Sequence, residues 1–170
     1  MRFLKFLYGF SVLIFACSCN VSSKSKTQAA VNTEAVNTEV VNKEKANTAI
    51  NFIEQDWNTA LQTAKKQNKL VFLDIYATWC GPCKLLKQYT FTDTSVARFF
   101  NNNFVNISVD GEKGVGPQLA QQFSIEGYPS LIITDAEGKP VLFTAGYMPA
   151  QDLLRFADEA LKRSQAHVNL

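Results

Sequence analysis

Two cysteines at a predicted strand-to-helix junction, Cys80 and Cys83, have the types and spacing that point most directly to chemistry in this 170-residue chain. The apolar run 70–76 before them predicts a buried strand, and segment 85–89 after them predicts a helix. A sulfur at a helix start faces unpaired N–H groups and the positive end of the helix dipole, which lower the pKa of a thiol. We therefore predict that Cys80 is a nucleophile, exposed at the helix start, and that Cys83 lies close enough to close a disulfide ring.

The two residues between the cysteines suit such a junction. Gly81 is expected to let the backbone turn tightly. Pro82 presets φ for the first helical turn, where no N–H partner is needed. The four-residue motif is therefore consistent with a helix that begins at the cysteine pair.

A Cys-x-x-Cys pair can alternatively be half of a structural zinc site, which needs two further ligands. The chain has four Cys and one His in all. Cys17 and Cys19 fall in an N-terminal targeting segment, and His167 stands three residues from the C-terminus. Because no second Cys pair exists, ligand count favours redox chemistry, and we predict no metal site.

The remaining pattern predicts an α/β fold. Apolar residues make up 46% of the chain and aromatic residues 12%, enough for a substantial core, and the formal charge of +2 gives no indication of nucleic-acid binding. The order of elements predicts a mixed central sheet with helices on both faces. The other predicted elements are a first strand at 50–53, helix 57–68, a helix that breaks near 90–93, strand 104–109, helix 117–123, strands 130–134 and 140–145, and a final helix from Pro149.

The motif Trp79-Cys80-Gly81-Pro82-Cys83-Lys84 resembles the active site of the thioredoxin family. Asp74, six residues before Cys80, matches the buried acid of that family. Gly127-Tyr128-Pro129-Ser130 matches its cis-proline loop, and Gly146 matches a glycine before its last helix. The resemblance covers roughly residues 50 to 163 and implies a thioredoxin-like fold for the domain 50–170.

The resemblance implies a redox disulfide between Cys80 and Cys83, with Asp74 as a third catalytic residue. A carboxyl group buried below a dithiol has its pKa raised by desolvation and can accept a proton from Cys83. The alternative is an acid that points to water at a strand edge. The chain departs from thioredoxin at Asn106, which aligns with a buried lysine of the family, so the pKa of Asp74 should depend more on burial alone.

The resemblance also implies a substrate-binding surface around the cysteines. A cis Pro129 would face the dithiol and leave the Tyr128 backbone free to pair with an extended substrate segment. The alternative is an ordinary turn proline. The predicted substrate-binding residues are Trp79, Gly81, Pro82, Tyr128 and Pro129.

The activity implied is that of a thiol–disulfide oxidoreductase with no cofactor beyond its disulfide. The Gly-Pro pair between Cys80 and Cys83 resembles reducing members more than oxidising ones, and the domain resembles envelope disulfide-interchange proteins. We therefore expect a monomer that acts on protein disulfides and receives electrons from an envelope donor protein. The main alternative is a polypeptide-binding, chaperone-like module without turnover. Metal delivery would need a nearby histidine, and His167 is the only one.

Residues 1–16 have the pattern of a bacterial lipoprotein signal peptide. Arg2 and Lys5 precede a short apolar stretch, which is typical of a secretory signal rather than a spanning helix. Ile14-Phe15-Ala16-Cys17 then resembles a lipobox and predicts lipidation of Cys17, with Cys19 as a poorer candidate. A plain signal peptide or an uncleaved anchor is the alternative.

Residues 17–49 are predicted to be a flexible tether. They contain a degenerate five-residue repeat without aromatic residues, Gly or Pro, which is too short and polar to bury a face. Thirty coil residues have an r.m.s. span of about 30 Å. The sequence thus predicts a periplasm-facing domain tethered to an envelope membrane, although a spacer with no role beyond solubility fits residues 17–49 equally well.

Overall fold

The computed structural model of the protein describes residues 48–168. The predicted signal peptide 1–16, the lipidation site Cys17 and nearly all of the predicted tether 17–49 lie outside these residues. Within the described part, no helix is long and apolar enough to cross a membrane.

The described residues form a five-stranded sheet with helices on both faces. The strand order is β1-β3-β2-β4-β5, in which β1, β3 and β2 run parallel and β4 and β5 are antiparallel to their neighbours. In chain order the elements are β1 (Phe52–Glu54), α1 (Trp57–Gln67), β2 (Leu70–Tyr76), α2 (Gly81–Leu85), a π-helical turn (Leu86–Thr90), α3 (Thr94–Asn103), β3 (Phe104–Asp110), α4 (Gly116–Gln122), β4 (Ser130–Thr134), β5 (Pro140–Ala145) and α5 (Ala150–Val168).

This architecture confirms the predicted fold class and most element positions. The bounds of β2, β4 and β5 agree with the sequence prediction, whereas the first strand is 52–54 rather than 50–53. The predicted break after the cysteine helix is real: the π-helical turn ends at Thr90, and Asp93 caps α3 by accepting hydrogen bonds from Ser95 N and Val96 N at 2.9 and 3.0 Å.

Two apolar layers hold the helices against the sheet. Alternate strand residues point to opposite faces, so Val71, Leu73 and Ile75 of β2 pack with α1 and α4, while Phe72 packs with α3 and α5. The Phe72 and Phe100 rings lie 4.6 Å apart between their centroids. Each fully buried side chain of this size contributes about 1.5–3 kcal/mol to folding. Strand β2 is therefore covered on both sides, as its nearly unbroken apolar sequence predicts.

Strand β3 alternates apolar and polar residues along its sequence, yet it has no exposed face. All seven residues from Phe104 to Asp110 are buried. The reason is its position between β1 and β2, with helices packed on both faces of the sheet. Its polar residues Asn106, Ser108 and Asp110 are consequently buried, along the side of β2.

Candidate active site

The cysteine pair lies where β2 ends and α2 begins. Cys80 N donates to the Ala77 carbonyl at 3.1 Å, which closes the turn after the strand. Cys80 is then the N-cap residue of α2, and its Sγ accepts a hydrogen bond from Cys83 N at 3.1 Å. The two sulfurs are bonded to each other, with their Cα atoms 5.3 Å apart. Negative charge that develops on Cys80 Sγ would thus meet the N–H group of Cys83.

Burial does not distinguish the two cysteines. Sequence reasoning placed Cys80 at an exposed helix start, but in the disulfide form Cys80 and Cys83 are each only 2% exposed. The cause is the packing of Ala77, Tyr76 and Tyr128 around the pair. The N-cap position of Cys80, rather than its exposure, is the structural feature that sets it apart.

The two residues between the cysteines are both exposed, but only one behaves as predicted. Pro82 occupies the first turn of α2, as its fixed φ suggests. Gly81 does not have a positive φ, and a Cβ at this position would meet nothing within 4 Å. The turn therefore does not require glycine at position 81, and its small size leaves open space beside Cys80.

Asp74 lies on the same face of β2 as Phe72 and Tyr76, and it is 1% exposed. Its Oδ2 accepts a 2.9 Å hydrogen bond from Ser108 Oγ, whereas its Oδ1 has no hydrogen-bond partner among the described residues. Desolvation by burial raises the pKa of Asp74 to about 6, against the lowering effect of the Ser108 hydrogen bond. A group with this pKa can exchange a proton near neutral pH.

Sequence reasoning missed Ser108. It is the residue of β3 directly opposite Asp74 in the parallel pairing of the two strands. Asn106, which sequence reasoning matched to a lysine of the family, pairs with Phe72, which lies on the same face of β2 as Asp74. Its Nδ2 donates to the Asn51 carbonyl at 3.5 Å and to Asn101 Oδ1 at 3.3 Å. The sequence signal that could have identified Ser108 was a polar residue in a largely apolar strand, two positions after Asn106.

The predicted cis-proline loop lies beside the cysteines. The Tyr128–Pro129 peptide bond is cis, and Pro129 is buried while its carbonyl accepts from Gly146 N at 2.8 Å. Tyr128 packs against Cys80 and Cys83. The structure thus brings together the cysteine pair and the Tyr128–Pro129 loop, which the sequence analysis had identified in two distant segments.

Trp79 forms the outer wall of this site and is 66% exposed. Its indole Nε1 donates to the two carboxylate oxygens of Glu112 at 3.0 and 3.1 Å, and its ring meets Tyr128 edge to face with centroids 6.0 Å apart. Gly111 makes this arrangement possible, because a Cβ there would lie 2.5 Å from Tyr128 Cε1. Sequence reasoning did not find Gly111 or Glu112, which belong to the loop after β3.

No group of three or more His, Cys, Asp or Glu residues in segment 48–168 is arranged to hold a metal ion. The polar chemistry of the site therefore consists of the Cys80–Cys83 disulfide, the buried Asp74–Ser108 pair and the exposed Trp79 and Glu112.

Comparison with known proteins defines the class. The family described as Thioredoxin-like domain matches residues 57–161, which is more than half of the chain. The chain therefore belongs to the thioredoxin-like family. A solution structure of a putative disulphide-isomerase from Bacteroides thetaiotaomicron is similar, with a TM-score of 0.61 and 37% identity, over 67% of this chain and 94% of that one.

Two proteins with similar sequences are a thiol:disulfide interchange protein and a thioredoxin. The chain is 31% identical over 109 residues to the thiol:disulfide interchange protein DsbD of Pseudoalteromonas atlantica, which covers 62% of this chain and 18% of that protein. It is 34% identical over 87 residues to a thioredoxin H-type of Fagopyrum esculentum, covering 51% of this chain and 69% of that protein. The chain thus spans less than a fifth of the length of the DsbD relative.

Proposed function

We propose that the protein is a protein-disulfide oxidoreductase that reduces or rearranges disulfides of cell-envelope proteins. The observation that carries this proposal is the Cys80–Cys83 disulfide at the start of α2, packed against the Tyr128 side chain and next to a cis Pro129. Its similarity to DsbD and to a putative disulphide-isomerase supports the same class of reaction. Polypeptide disulfides are the proposed substrate class, since Trp79, Gly81 and Pro82 are exposed beside the cysteines.

The reaction starts from the reduced protein. The Cys80 thiolate attacks one sulfur of a substrate disulfide, forming a mixed disulfide and releasing the other substrate sulfur as a thiolate, which takes a proton. Cys83 then transfers its proton to the Asp74 carboxylate and attacks Cys80 Sγ. The second substrate sulfur leaves as a thiolate, and Cys80–Cys83 is oxidised. The substrate disulfide gains the two electrons that the dithiol loses.

A donor protein must return the dithiol to its reduced state if turnover is to continue. We propose a dithiol protein of the envelope for this role, because the oxidised pair is otherwise spent after one cycle. We further propose that residues 1–16 are removed as a signal peptide and that Cys17 is lipidated, which would tether a periplasm-facing monomer to a membrane. The pattern around Cys17 supports this localisation, as does the resemblance to envelope interchange proteins.

Turnover of a protein disulfide tests the proposal. The purified full-length protein should accelerate the reduction of insulin by dithiothreitol, Cys80→Ser should abolish this acceleration, and Cys83→Ser should accumulate mixed disulfides through Cys80. Binding of unfolded polypeptide without any acceleration would favour the chaperone-like alternative. Adducts retained on Cys83 in the Cys80→Ser protein would reverse the assignment of the nucleophile.

The redox direction is tested by equilibrium with glutathione. A Cys80–Cys83 potential near that of thioredoxin, about −270 mV, would support the proposed reductase, whereas a value near about −120 mV would assign an oxidant.

A further inference from the structure

Lys87 lies on the exposed side of a helix, yet its ammonium group contacts an aromatic ring of the sheet. It lies four residues after Cys83, in the π-helical turn that continues α2. Its Nζ lies 3.3 Å from the centroid of the Tyr76 ring, a cation–π contact that holds the ammonium group against a residue of the sheet. Tyr76 is half-buried and packs beside the cysteine pair.

The contact with Tyr76 puts this ammonium group on the face of the sheet that carries Asp74. Tyr76 and Asp74 are separated by one residue in β2, so their side chains point to the same face of the sheet. Asp74 Oδ1 has no hydrogen-bond partner in the described chain, so hydrogen bonds stabilise only one of its carboxylate oxygens. A charge at the border of this desolvated region acts on Asp74 more strongly than it would across water.

The charged groups that face Asp74 come from separate elements and oppose each other. Glu54 of β1, Ser108 of β3 and Asp74 of β2 form one row across the three strands, while β4 contributes the apolar Leu131 opposite Asp74. After burial, which raises the pKa of Asp74, and the Ser108 hydrogen bond, which lowers it, the two charges that act are Lys87, which lowers it, and Glu54, which raises it. Asp110, on the same face of β3, pairs with Tyr76 in the strand register.

We propose that Lys87 is a positioning residue for the proton transfer between Cys83 and Asp74, with its ammonium group, held over the Tyr76 ring, keeping Asp74 in the carboxylate form and Glu54 opposing it. This inference rests on the proposed function, because it concerns the step in which Cys83 loses its proton. In that step the Cys83 S–H bond breaks, the proton goes to Asp74, and the sulfur electron pair forms the bond to Cys80 Sγ. Lys87 itself exchanges no proton.

The positive charge that acts on Asp74 therefore comes from Lys87, in the turn after the cysteine helix, and not from β3. On β3, Asn106 carries no charge, and its amide donates to Asn51 and Asn101. Lys87 is exposed, so solvent and salt can modulate its effect. A dependence of the Asp74 equilibrium on ionic strength is therefore part of the proposal.

A ¹³C NMR titration of the Asp74 carboxyl group in the reduced full-length protein tests the proposal without any substrate. Lys87→Gln should move the titration midpoint of Asp74 to higher pH, Lys87→Arg should leave it near the wild-type midpoint, and Glu54→Gln should move it to lower pH. Lys84→Gln is the matched control, because it removes the same charge from the same helix and should leave the midpoint in place.

The contact with the ring is tested at Tyr76. Tyr76→Phe keeps the ring and should preserve the wild-type midpoint, whereas Tyr76→Leu removes it and should reproduce part of the upward shift of Lys87→Gln. Equal midpoints for wild type, Lys87→Gln and Tyr76→Leu would overturn the proposal, as would an equal shift in Lys84→Gln. Each outcome is measured by the titration of the Asp74 carboxyl group, so it does not depend on whether the protein reduces insulin.

The kinetic consequence is confined to one step. On the acid side of the midpoint, Lys87→Gln should slow the resolution of the mixed disulfide by about threefold, because a smaller fraction of Asp74 is ionised. The first attack by Cys80, measured with a small disulfide, should be unchanged. Above pH 8 the resolution rates of wild type and Lys87→Gln should converge. An equal loss in both steps at all pH values would assign Lys87 a merely structural role and overturn the proposal.

Discussion

Ser108 Oγ donates a 2.9 Å hydrogen bond to Asp74 Oδ2, and the two residues face each other in the parallel pairing of β3 and β2. Both are 1% exposed, so the hydrogen bond lies in the interior of the protein. It favours the carboxylate form of Asp74 and partly offsets the burial that raises the pKa of this group. Ser108 therefore helps to set the pH at which Asp74 can accept a proton.

Ser108→Ala should move the pKa of Asp74 above its wild-type value of about 6. A hydrogen bond to a charged group contributes about 1.5 kcal/mol or more, which is roughly a tenfold change in the ionisation equilibrium. We therefore expect slower resolution of mixed disulfides at pH 6 to 7 and little change above pH 8. The pH profile of that step measures the effect, and Ser108→Thr, which retains the hydroxyl group, should behave like wild type. A Ser108→Ala profile that overlays the wild-type profile would contradict this role.

Asp74 should also make the folded protein less stable as the pH rises. Its pKa is about 6 in the folded protein and 3.8 without burial, so the folded state binds more protons between these values. The stability that this proton provides is fully present below about pH 3.8 and is lost by the time the pH exceeds about 6, a change of about 3 kcal/mol. Asp74→Asn should remove this component.

Urea unfolding of the oxidised protein at pH 4, 5.5 and 7 measures the difference. The oxidised form is the appropriate one because the Cys80–Cys83 disulfide has no thiol to titrate. The free energy of unfolding of wild type minus that of Asp74→Asn should fall with pH. A difference that stays constant, or rises, over this range would show that the acid is not buried in the protonated form.

Gly111→Ala should displace the Tyr128 ring. The added Cβ would lie 2.5 Å from Tyr128 Cε1 and 2.6 Å from its hydroxyl oxygen, so the ring must leave its edge-to-face contact with Trp79. We expect a several-fold loss in the rate of attack on protein disulfides, with less effect on a small disulfide. Gly127→Ala is the matched control, because nothing lies within 4 Å of a Cβ at that position. Equal rates for the two variants would remove Tyr128 placement from substrate recognition.

The parts of the fold that were predictable from sequence are those in which local pattern and tertiary environment agree. The unbroken apolar run of β2 is typical of a strand covered on both faces, and its bounds were predicted correctly. The Asp135–Gly138 turn between β4 and β5 is likewise local, and Gly138 has φ of +81° there. Cys80 and Cys83 are neighbours in sequence, so their pairing needed only one helical turn.

The parts that were missed depend on contacts between distant segments. Ser108 and Asp74 are 34 residues apart, and Trp79 and Glu112 are 33 apart, so each contact requires the register between β2 and β3. The position of Lys87 over Tyr76 depends on the π-helical turn, which no propensity of residues 86–90 indicates. The burial of Cys80 in the disulfide form likewise arises from Tyr128, which belongs to another loop.

Cys17 is predicted to carry the lipid anchor, a proposal that concerns residues outside 48–168. The small Ala16 before it and the apolar Ile14 three residues before it support cleavage between residues 16 and 17. Two or three acyl chains on one cysteine give firm membrane binding, whereas a single chain gives only marginal binding. Cys17→Ala should therefore leave the precursor unprocessed or release the protein from the membrane fraction, while the Cys80–Cys83 potential stays the same.

Intact-mass analysis of the mature protein distinguishes the outcomes, with Cys19→Ala as the matched control. Cys19→Ala should be processed and acylated like wild type, because the residue before Cys19 is Ser18 within a poorer recognition pattern. An unmodified Cys17 upstream of an acylated Cys19 would move the site by two residues along the chain. A soluble mature chain without acyl mass would contradict the lipoprotein proposal and leave the plain signal peptide as the explanation of residues 1–16. In either case the chemistry at Cys80 would be unaffected, because the membrane anchor and the redox pair are separate parts of the chain.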